Sequence, residues 1–244
     1  MEKPLSRLEL LLGGKALAAL SGSTVFLCGT GGVGSWCAEA LVRSGIGHLV
    51  MMDDDVVKPS NLNRQLCALT SSIGRRKVEV LAERLRDIAP TAEITPLCRH
   101  LTEEDVPQFL SEGRFSCVID AIDERGPKLA LIAECVRQGI PVVSSMGAGN
   151  KSDATQIRVA DISESYGCRL ARLVRKSLHK RGIDSGVRVV FSPEERPESA
   201  EFGNAEGAGA RRPIGTVCHI TASFGMICAQ EAIKTITGGC NDKK

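Results

Sequence analysis

The feature that most constrains this chain is a glycine-rich loop that joins an apolar run to a helical segment. The stretch "TVFLCGTGGVGSWCAEALVR" occupies residues 24–43 and contains the spacing G-x-G-x-x-G. The apolar run predicts a buried strand, and the segment after the glycines predicts a helix. Glycines in such a turn let the backbone approach a phosphate, and the helix N-terminus supplies N–H donors. The stretch therefore predicts a nucleotide site, with a tight turn that binds nothing as the alternative.

The alternation of strand and helix continues along the chain. The strand runs "HLVMM", "AEITPLC", "FSCVIDAID" and "IPVVSSM" alternate with helical segments such as "GRRKVEVLAERLRDIAP" and "KLALIAECVRQG". This order predicts a Rossmann-like α/β fold, with a mainly parallel sheet and helices on both faces. After Met146, the strand runs "QIRVAD" and "VRVVFS" on either side of one helix predict a mixed C-terminal extension.

Length and composition fit one domain. The chain has 244 residues, of which 43% are hydrophobic and 25% are charged, as in a globular protein with a sizeable core. We expect a single domain over residues 1–244. Residues 192–213, "SPEERPESAEFGNAEGAGARRP", are rich in Pro, Gly, Glu and Ala and lack periodicity, which predicts a mobile loop inside that domain.

The cysteines and the apolar segments bear on location. None of the ten cysteines is spaced C-x-x-C, and "MEKPLSRLELLLGGK" lacks the long apolar core of a secretion signal. Free thiols are typical of a reducing compartment, so we expect a cytoplasmic protein. The apolar stretch "IGTVCHITASFGMICAQEAIKTI" contains several polar side chains, which favours a buried terminal helix over membrane insertion.

An aspartate follows the second predicted strand at the position where a ribose would lie. Asp53 comes 19 residues after Gly34, at the end of "HLVMM". An acidic side chain there can accept hydrogen bonds from the ribose hydroxyls. Because NAD and ATP both contain that ribose, Asp53 indicates a nucleotide without choosing between the two.

The next segment favours a triphosphate. The stretch "DDDVVKPSNLNRQ" places Asn61, Arg64 and Gln65 after the acidic turn, and Lys77 begins the following helix. Two cations and an amide suit the charge of a triphosphate better than that of a dinucleotide pyrophosphate. Taken singly, Arg64 and Lys77 also fit a solvated surface.

Two aspartates follow the fourth predicted strand. Asp120 and Asp123 in "VIDAIDERGPK" are both predicted to lie at the carboxyl edge of the sheet, where a carboxylate can hold Mg²⁺ on phosphate oxygens. One of them can instead cap the helix that begins near Arg125. We favour Asp123 as the metal ligand because it lies farther into the loop.

These motifs together resemble a known family. In their order and spacing, "GTGGVGS", "DDD", "SNLNRQ", "GRRKVE" and "DAID" resemble the ThiF/MoeB-type adenylating family, which is related to ubiquitin-activating enzymes. The resemblance spans about residues 7–150 and implies that the nucleotide is ATP with Mg²⁺. It also implies a homodimer in which Arg7, in "LSRLELLLGG", reaches into the partner's site. The implied nucleotide-binding residues are Gly29, Gly31, Gly32, Gly34, Asp53, Asp55, Asn61, Arg64, Lys77 and Asp123; the implied catalytic residues are Arg7, Arg64, Lys77 and Asp123.

Longer stretches resemble one subgroup of that family, the tRNA threonylcarbamoyladenosine dehydratases. They include "SRLELLLG", "VIDAIDERGPKLALIAECVRQGIPVVSSMGAGNKSDATQIRVADI" and "LARLVRKSLHKRGI", so the likeness extends to about residue 191. The resemblance implies ATP-dependent cyclodehydration of threonylcarbamoyladenosine at position 37 of tRNA, through adenylation of its carboxylate. A monovalent cation and a sulfur-relay protein are further partners that the residues neither require nor exclude.

Two other functions stay open. The chain resembles sulfur-carrier adenylyltransferases too, but these often hold structural zinc with two C-x-x-C pairs, and without such pairs we expect no zinc here. The second alternative is a dinucleotide-binding module without catalysis. Ring closure needs no protein thiol. Cys168 precedes a basic helix, and two interpretations are open: a buried side chain that only packs, or a thiol whose pKa the helix N-terminus lowers.

The helical segment "CRLARLVRKSLHKRG" is a candidate tRNA contact. A row of cations would neutralise phosphates, whereas the alternative is a solvated amphipathic helix. Aromatic residues make up 3% of the chain, which argues against a broad base-stacking surface. The cations that we propose for the contact are Arg169, Arg172, Arg175, Lys176 and Lys180.

Overall fold

The computed structural model describes residues 4–195 and 214–238. Within them, seven strands form one sheet in the order β3-β2-β1-β4-β5-β7-β6. Every neighbouring pair is parallel except β6 and β7, which pair antiparallel. The predicted Rossmann-like α/β class, including its mixed C-terminal part, is confirmed. The strands are β1 (Thr24–Cys28), β2 (His48–Met52), β3 (Glu93–Leu97), β4 (Cys117–Asp120), β5 (Val142–Ser145), β6 (Arg158–Asp161) and β7 (Arg188–Phe191).

Helices cover both faces of this sheet, because side chains alternate along each strand. Val25 and Leu27 of β1 point into one core layer, whereas Phe26 and Cys28 point into the other. Helices α2, α3, α4 and α8 pack on the first layer, and helices α5, α6 and α7 on the second. The helices of the described residues are α1 (Ser6–Leu12), α2 (Gly14–Ser21), α3 (Gly34–Arg43), α4 (Lys77–Ile88), α5 (Val106–Gly113), α6 (Arg125–Gln138), α7 (Arg169–His179) and α8 (Cys218–Ile236).

The terminal helix α8 is buried, as its sequence predicts. Ile220, Phe224 and Cys228 are fully inaccessible to solvent. In the described part of the chain, no helix combines the length and the apolar character that crossing a bilayer requires. Helix α5 is absent from the sequence-based assignment, since it has only two turns and contains Pro107 in the first of them.

The order of the strands places a crevice at one edge of the sheet. From β1, the chain adds strands β2 and β3 on one side of the sheet, and then β4 and β5 on the other, so the winding direction reverses between β1 and β4. Ligands of doubly wound folds bind at the carboxyl ends of the strands beside such a reversal. The glycine loop follows β1, the aspartates of "DDD" follow β2, and the "DAID" loop follows β4. All three predicted parts of the nucleotide site therefore meet at this edge.

Most of the predicted loop over residues 192–213 lies outside the described residues. Its first residues and the chain that follows it are both attached to the turn after β5. The Glu194 carboxylate accepts hydrogen bonds from the backbone N–H groups of Ser152 and Asp153, at 2.9–3.1 Å. On the other side, Asn150 and Gly215 form two hydrogen bonds of 2.8 and 3.0 Å. The described residues on either side of this segment therefore both lie against the turn after β5.

Candidate nucleotide-binding site

Two of the four loop glycines are required by the packing of the chain itself. Gly29 has a φ of +90°, and a Cβ there would lie 2.6 Å from the carbonyl oxygen of Ala121. A Cβ on Gly34 would lie 1.8 Å from the carbonyl oxygen of Gly29. Neither position tolerates a side chain, so these glycines let β1, α3 and the loop after β4 approach one another. Their predicted contact with a nucleotide stays a prediction.

The other two glycines face the side chains that line the loop. The nearest atom to a Cβ on Gly31 would be Nε2 of Gln65, at 3.7 Å. A Cβ on Gly32 would lie 3.2 Å from Thr221 of α8 and 3.3 Å from Cδ of Arg64. Arg64 and the buried amide of Gln65 therefore lie beside the partly exposed backbone of the loop, as a phosphate site requires.

Asp53 is bound to the glycine loop. Its Oδ2 accepts hydrogen bonds from the backbone N–H of Thr30 at 2.7 Å and from the Thr30 hydroxyl at 3.0 Å. Its Oδ1 accepts one from the N–H of Asp55 at 2.9 Å. Since each carboxylate oxygen accepts about two hydrogen bonds, Oδ1 retains capacity for a ribose hydroxyl. Asp53 therefore shapes the loop and can also contact a nucleotide; the role of Thr30 was not predicted.

Lys77 is buried with its ammonium at the rim of the crevice. Its side chain is 5% exposed, and Nζ donates to Oδ2 of Asp55 at 2.7 Å. This hydrogen bond is the main reason that the pKa of Asp55 lies below its usual value. An ammonium has three donors, so Lys77 can hold Asp55 and a phosphate oxygen together. Asp55 thus orients the cation.

Asn61 and Arg64 lie in the turn that begins at Pro59. Asn61 is buried, and its Oδ1 accepts a hydrogen bond from the backbone N–H of Lys58 at 2.9 Å, which fixes the turn. The Arg64 guanidinium donates to the Ser60 carbonyl oxygen at 2.8 Å and to Oδ1 of Asn63 at 2.9 Å, and these contacts use only two of its five N–H groups. Arg64 is therefore held beside Gly32 with donors to spare.

The two aspartates after β4 have different environments. Asp120 is fully buried, and its Oδ2 accepts from Nζ of the equally buried Lys128 at 2.6 Å and from the hydroxyl of Ser144. Its Oδ1 accepts from the N–H of Ile122 at 3.1 Å. Asp120 therefore secures the base of the loop and is closed to a ligand. Lys128 was not predicted, because a lysine in a helix pattern usually indicates a solvated face.

Asp123 lies at the exposed end of this loop. Among the described residues it has no hydrogen bond and no ion pair. Those residues also contain no group of three side chains that could hold a metal alone. Mg²⁺ on a nucleotide keeps several waters and needs only one or two carboxylates besides the phosphates, so Asp123 fits that requirement.

His100, from the chain after β3, lies at the same edge. Its ring nitrogens are 3.6 Å from Oδ2 of Asp54 and 3.7 Å from Oε2 of Glu124. This histidine therefore lies between the acidic turn after β2 and the loop that carries Asp123. The sequence analysis did not identify His100 as part of this site.

Arg7 lies in the short helix α1, which contributes no buried residue to the core. Leu10 and Leu11 of the same helix are 82% and 79% exposed. Two adjacent large apolar side chains in solvent are typical of a surface that another protein covers.

The cysteines of the described residues are mostly structural. Cys67 is buried, and burial raises the pKa of its thiol to about 11. Cys168 is 6% exposed and precedes α7, with Sγ about 3.8 Å from a Cβ built on Gly147. Their burial favours the interpretation that both cysteines are structural side chains that pack in the interior.

The basic helix α7 presents a stripe of cations to solvent. Four exposed cations follow one another at spacings of three and four residues, which places them on one side of a helix. This basic stripe consists of Arg169, Arg172, Lys176 and Lys180.

Arg175 belongs to a different side of α7. It is half-buried, and Nη1 donates to the carbonyl oxygen of Ser165 and, at 2.7 Å, to the hydroxyl of the same serine. Arg175 therefore attaches α7 to the preceding turn and is less available to a ligand than its neighbours.

Comparison with known proteins bears on this site. Residues 5–244 match the model of the ThiF family. The chain belongs to the ThiF family. The tRNA threonylcarbamoyladenosine dehydratase of Bacillus subtilis (strain 168) is 46% identical over 229 residues, 91% of this chain and 90% of the relative.

Solved structures of the ThiF family resemble the whole chain. A crystal structure of Escherichia coli tRNA N6-threonylcarbamoyladenosine dehydratase, TcdA, in complex with ATP has a TM-score of 0.87 and 36% identity, and covers 99% of this chain and 96% of that one. The AMP complex of the same enzyme has a TM-score of 0.83 and 38% identity, and covers 94% and 92%. The resemblance that the sequence motifs indicate is thus confirmed.

Proposed function

We propose that this chain is an ATP-dependent tRNA threonylcarbamoyladenosine dehydratase that adenylates the substrate carboxylate and then closes the ring. The observation that carries this proposal is the 46% identity, over 91% of the chain, to a relative of that name. ATP is the proposed nucleotide because a relative of closely similar structure binds it. Two cations support this assignment: Arg64 lies beside the glycine loop, and Lys77 is held by an aspartate of the turn after β2.

The proposed reaction has two steps. A carboxylate oxygen of the substrate attacks the α-phosphorus of ATP, and pyrophosphate leaves. An oxygen of the same side chain then attacks the activated carbonyl carbon, the ring closes, and AMP leaves with the former carboxylate oxygen. Arg64 and Lys77 stabilise the negative charge on the phosphates through charge-assisted hydrogen bonds. Holding both ends of one side chain together accounts for much of the second step.

Asp123 is the proposed ligand of Mg²⁺. The ion would neutralise phosphate charge as the pyrophosphate departs. Its ligand must come from a loop that keeps its shape, and the buried contacts of Asp120 with Lys128 and Ser144 hold that loop at its base. In this proposal, the buried carboxylate of Asp120 holds the loop in place, and the exposed carboxylate of Asp123 binds the ion.

The proposed assembly is a homodimer in which Arg7 serves the partner's site. The support lies in α1, where Leu10 and Leu11 are exposed beside the arginine. Covering these leucines would remove apolar surface from water and would fix the helix that carries Arg7. We also expect a cytoplasmic location, where the tRNA substrate is found.

The basic stripe is the proposed contact with the tRNA backbone. We expect Arg172→Ala to weaken tRNA binding by roughly 3- to 10-fold and to lower the slope of log affinity against log salt by about 0.7–0.9, because one phosphate contact is lost. Fluorescence anisotropy with labelled tRNA over a salt series measures both quantities.

Arg175→Ala is the matched control for this measurement. It removes the same charge from the same helix, but its guanidinium is bonded to Ser165. We expect this variant to lower Tm and to leave the salt slope closer to that of the wild type. An Arg172→Ala protein with an unchanged slope would contradict the assignment of the stripe.

Substrate discrimination tests the proposed function against its main rival. The enzyme is incubated with labelled ATP and either tRNA that contains threonylcarbamoyladenosine or a small carrier protein that ends in Gly-Gly. We expect pyrophosphate release in the incubation with tRNA and none in the incubation with the carrier protein. Release that depends on the carrier would instead make the chain a sulfur-carrier adenylyltransferase.

A further inference from the structure

Tyr166, the only tyrosine of the chain, is a large aromatic side chain held at the protein surface. It precedes α7 by three residues and is 60% exposed. Its ring contacts Phe191, with ring centroids 5.6 Å apart and planes inclined at 76°. A near-perpendicular contact leaves at least one face of the tyrosine ring clear of Phe191, and more than half of the residue is exposed to solvent.

The backbone around Tyr166 is constrained. Gly167 has a φ of +65°, and a Cβ there would lie 2.6 Å from Cα of Pro193. The N–H of Cys168 donates to the carbonyl oxygen of Tyr166 at 2.7 Å. The ring is therefore anchored by a turn that only glycine fits and by a buried phenylalanine, so little freedom is lost when a ligand stacks on it.

Tyr166 contacts the end of a strand at the carboxyl edge of the sheet and precedes the basic stripe by three residues. Phe191 ends β7, which runs parallel to β5, and β5 in turn pairs with β4, whose loop carries Asp123. Two strand spacings of about 4.8 Å separate β4 from β7, so the ends of these strands are roughly 10 Å apart. On the other side, Arg169 is the first residue of α7 and the first cation of the stripe.

We propose that Tyr166 stacks on a nucleobase of the tRNA anticodon loop that neighbours the modified adenosine. The inference rests on the proposed function and specifies how that substrate is placed. Single-stranded RNA loops are recognised through unstacked bases that pack on aromatic rings, while phosphates contact arginine and lysine. An open ring at the head of a cationic stripe provides both kinds of contact and directs the loop toward the crevice.

The nearby acidic residues do not oppose this placement. Asp161 accepts hydrogen bonds from the N–H groups of Ser163, Gly186 and Val187, so its carboxylate is engaged within the fold. Glu164 is exposed on the turn before Tyr166, and the four exposed cations of the stripe outnumber this one negative charge. The local surface keeps a net positive charge.

The test measures binding of a fluorescein-labelled anticodon stem-loop RNA by anisotropy, with full-length wild type and three variants. We expect Tyr166→Ala to raise Kd by roughly 5- to 100-fold, as the loss of one base–aromatic stack does. Tyr166→Phe should bind within about twofold of the wild type, because the described residues give the hydroxyl no hydrogen bond. Tyr166→Leu keeps apolar bulk without a π-face and should resemble the alanine variant. The Kd for ATP should be the same in all four proteins, which controls for folding.

A series of stem-loops with one abasic loop nucleotide each identifies the stacked base. With one of them, wild type and Tyr166→Ala should bind equally, because the stack is already missing. The inference is overturned if Tyr166→Ala binds the intact stem-loop as tightly as wild type does, or if Tyr166→Leu retains full affinity. Failure of the proposed function has a different signature, since the wild-type enzyme would then neither bind nor convert any tRNA.

Discussion

Asp123→Ala is expected to reduce ATP-dependent AMP formation by at least about a thousandfold and to leave Tm almost unchanged. The rate falls because the carboxylate that holds Mg²⁺ is lost, and several kcal/mol of charge stabilisation correspond to a factor of this size. The fold persists because Asp123 is exposed and makes no hydrogen bond or ion pair among the described residues. Single-turnover AMP formation and a thermal melt of the same sample measure both effects.

Neighbouring carboxylates provide the controls for Asp123. Glu124→Ala removes an equally exposed charge from the adjacent position, and we expect it to retain most of the activity. Asp120→Ala should instead lower the free energy of unfolding by about 3–5 kcal/mol, because Lys128 would be left buried without its partner. An Asp123→Ala enzyme that forms AMP near the wild-type rate would show that the metal assignment is wrong.

Arg7→Ala is expected to be nearly inactive alone and to recover activity when mixed with Asp123→Ala. In a heterodimer of the two, one site combines the intact Asp123 of one protomer with the intact Arg7 of the other. Random exchange of subunits then restores about a quarter of the wild-type sites, because half of the dimers are mixed and each has one intact site. AMP formation is measured before and after the two proteins exchange subunits.

The exchange experiment separates action in trans from action in cis. If Arg7 served its own protomer, no heterodimer would contain an intact site, and mixing would restore nothing. A sedimentation measurement on each variant verifies that both remain dimers. Recovery to about a quarter therefore supports both the homodimer and the reach of Arg7 into the partner's site.

The fold was predictable because its signals are local. Most of the parallel strands are short apolar runs, and the described strand bounds fall inside the runs predicted for them. The requirement for glycine at Gly29 and Gly34 also follows from the motif, because a Cβ at either position would clash with nearby backbone where the first strand and helix meet. Helix α5 was missed because it has only two turns, so the helical spacing of its apolar residues extends over too short a stretch to be recognised.

The candidate site was predictable in its residue types and less so in their environments. Sequence position alone indicated that Asp123 lies farther into the loop than Asp120, but not that a lysine on α6 neutralises Asp120 in the core. Likewise, Arg172 and Arg175 have the same chemistry and differ by less than one helical turn. Only the packing of α7 shows that one faces solvent and the other binds Ser165. Such differences arise from contacts between distant segments, which residue spacing does not encode.

In the proposed reaction, the chain consumes ATP to remove an oxygen from the substrate's carboxylate as that side chain closes. The most direct test uses tRNA whose threonylcarbamoyladenosine carries heavy oxygen in its carboxylate, with mass spectrometry of both the AMP and the digested nucleosides after a single turnover. We expect AMP that contains one heavy oxygen atom and a nucleoside that has lost one molecule of water. AMP without the label, or an unchanged nucleoside after ATP is consumed, would contradict it.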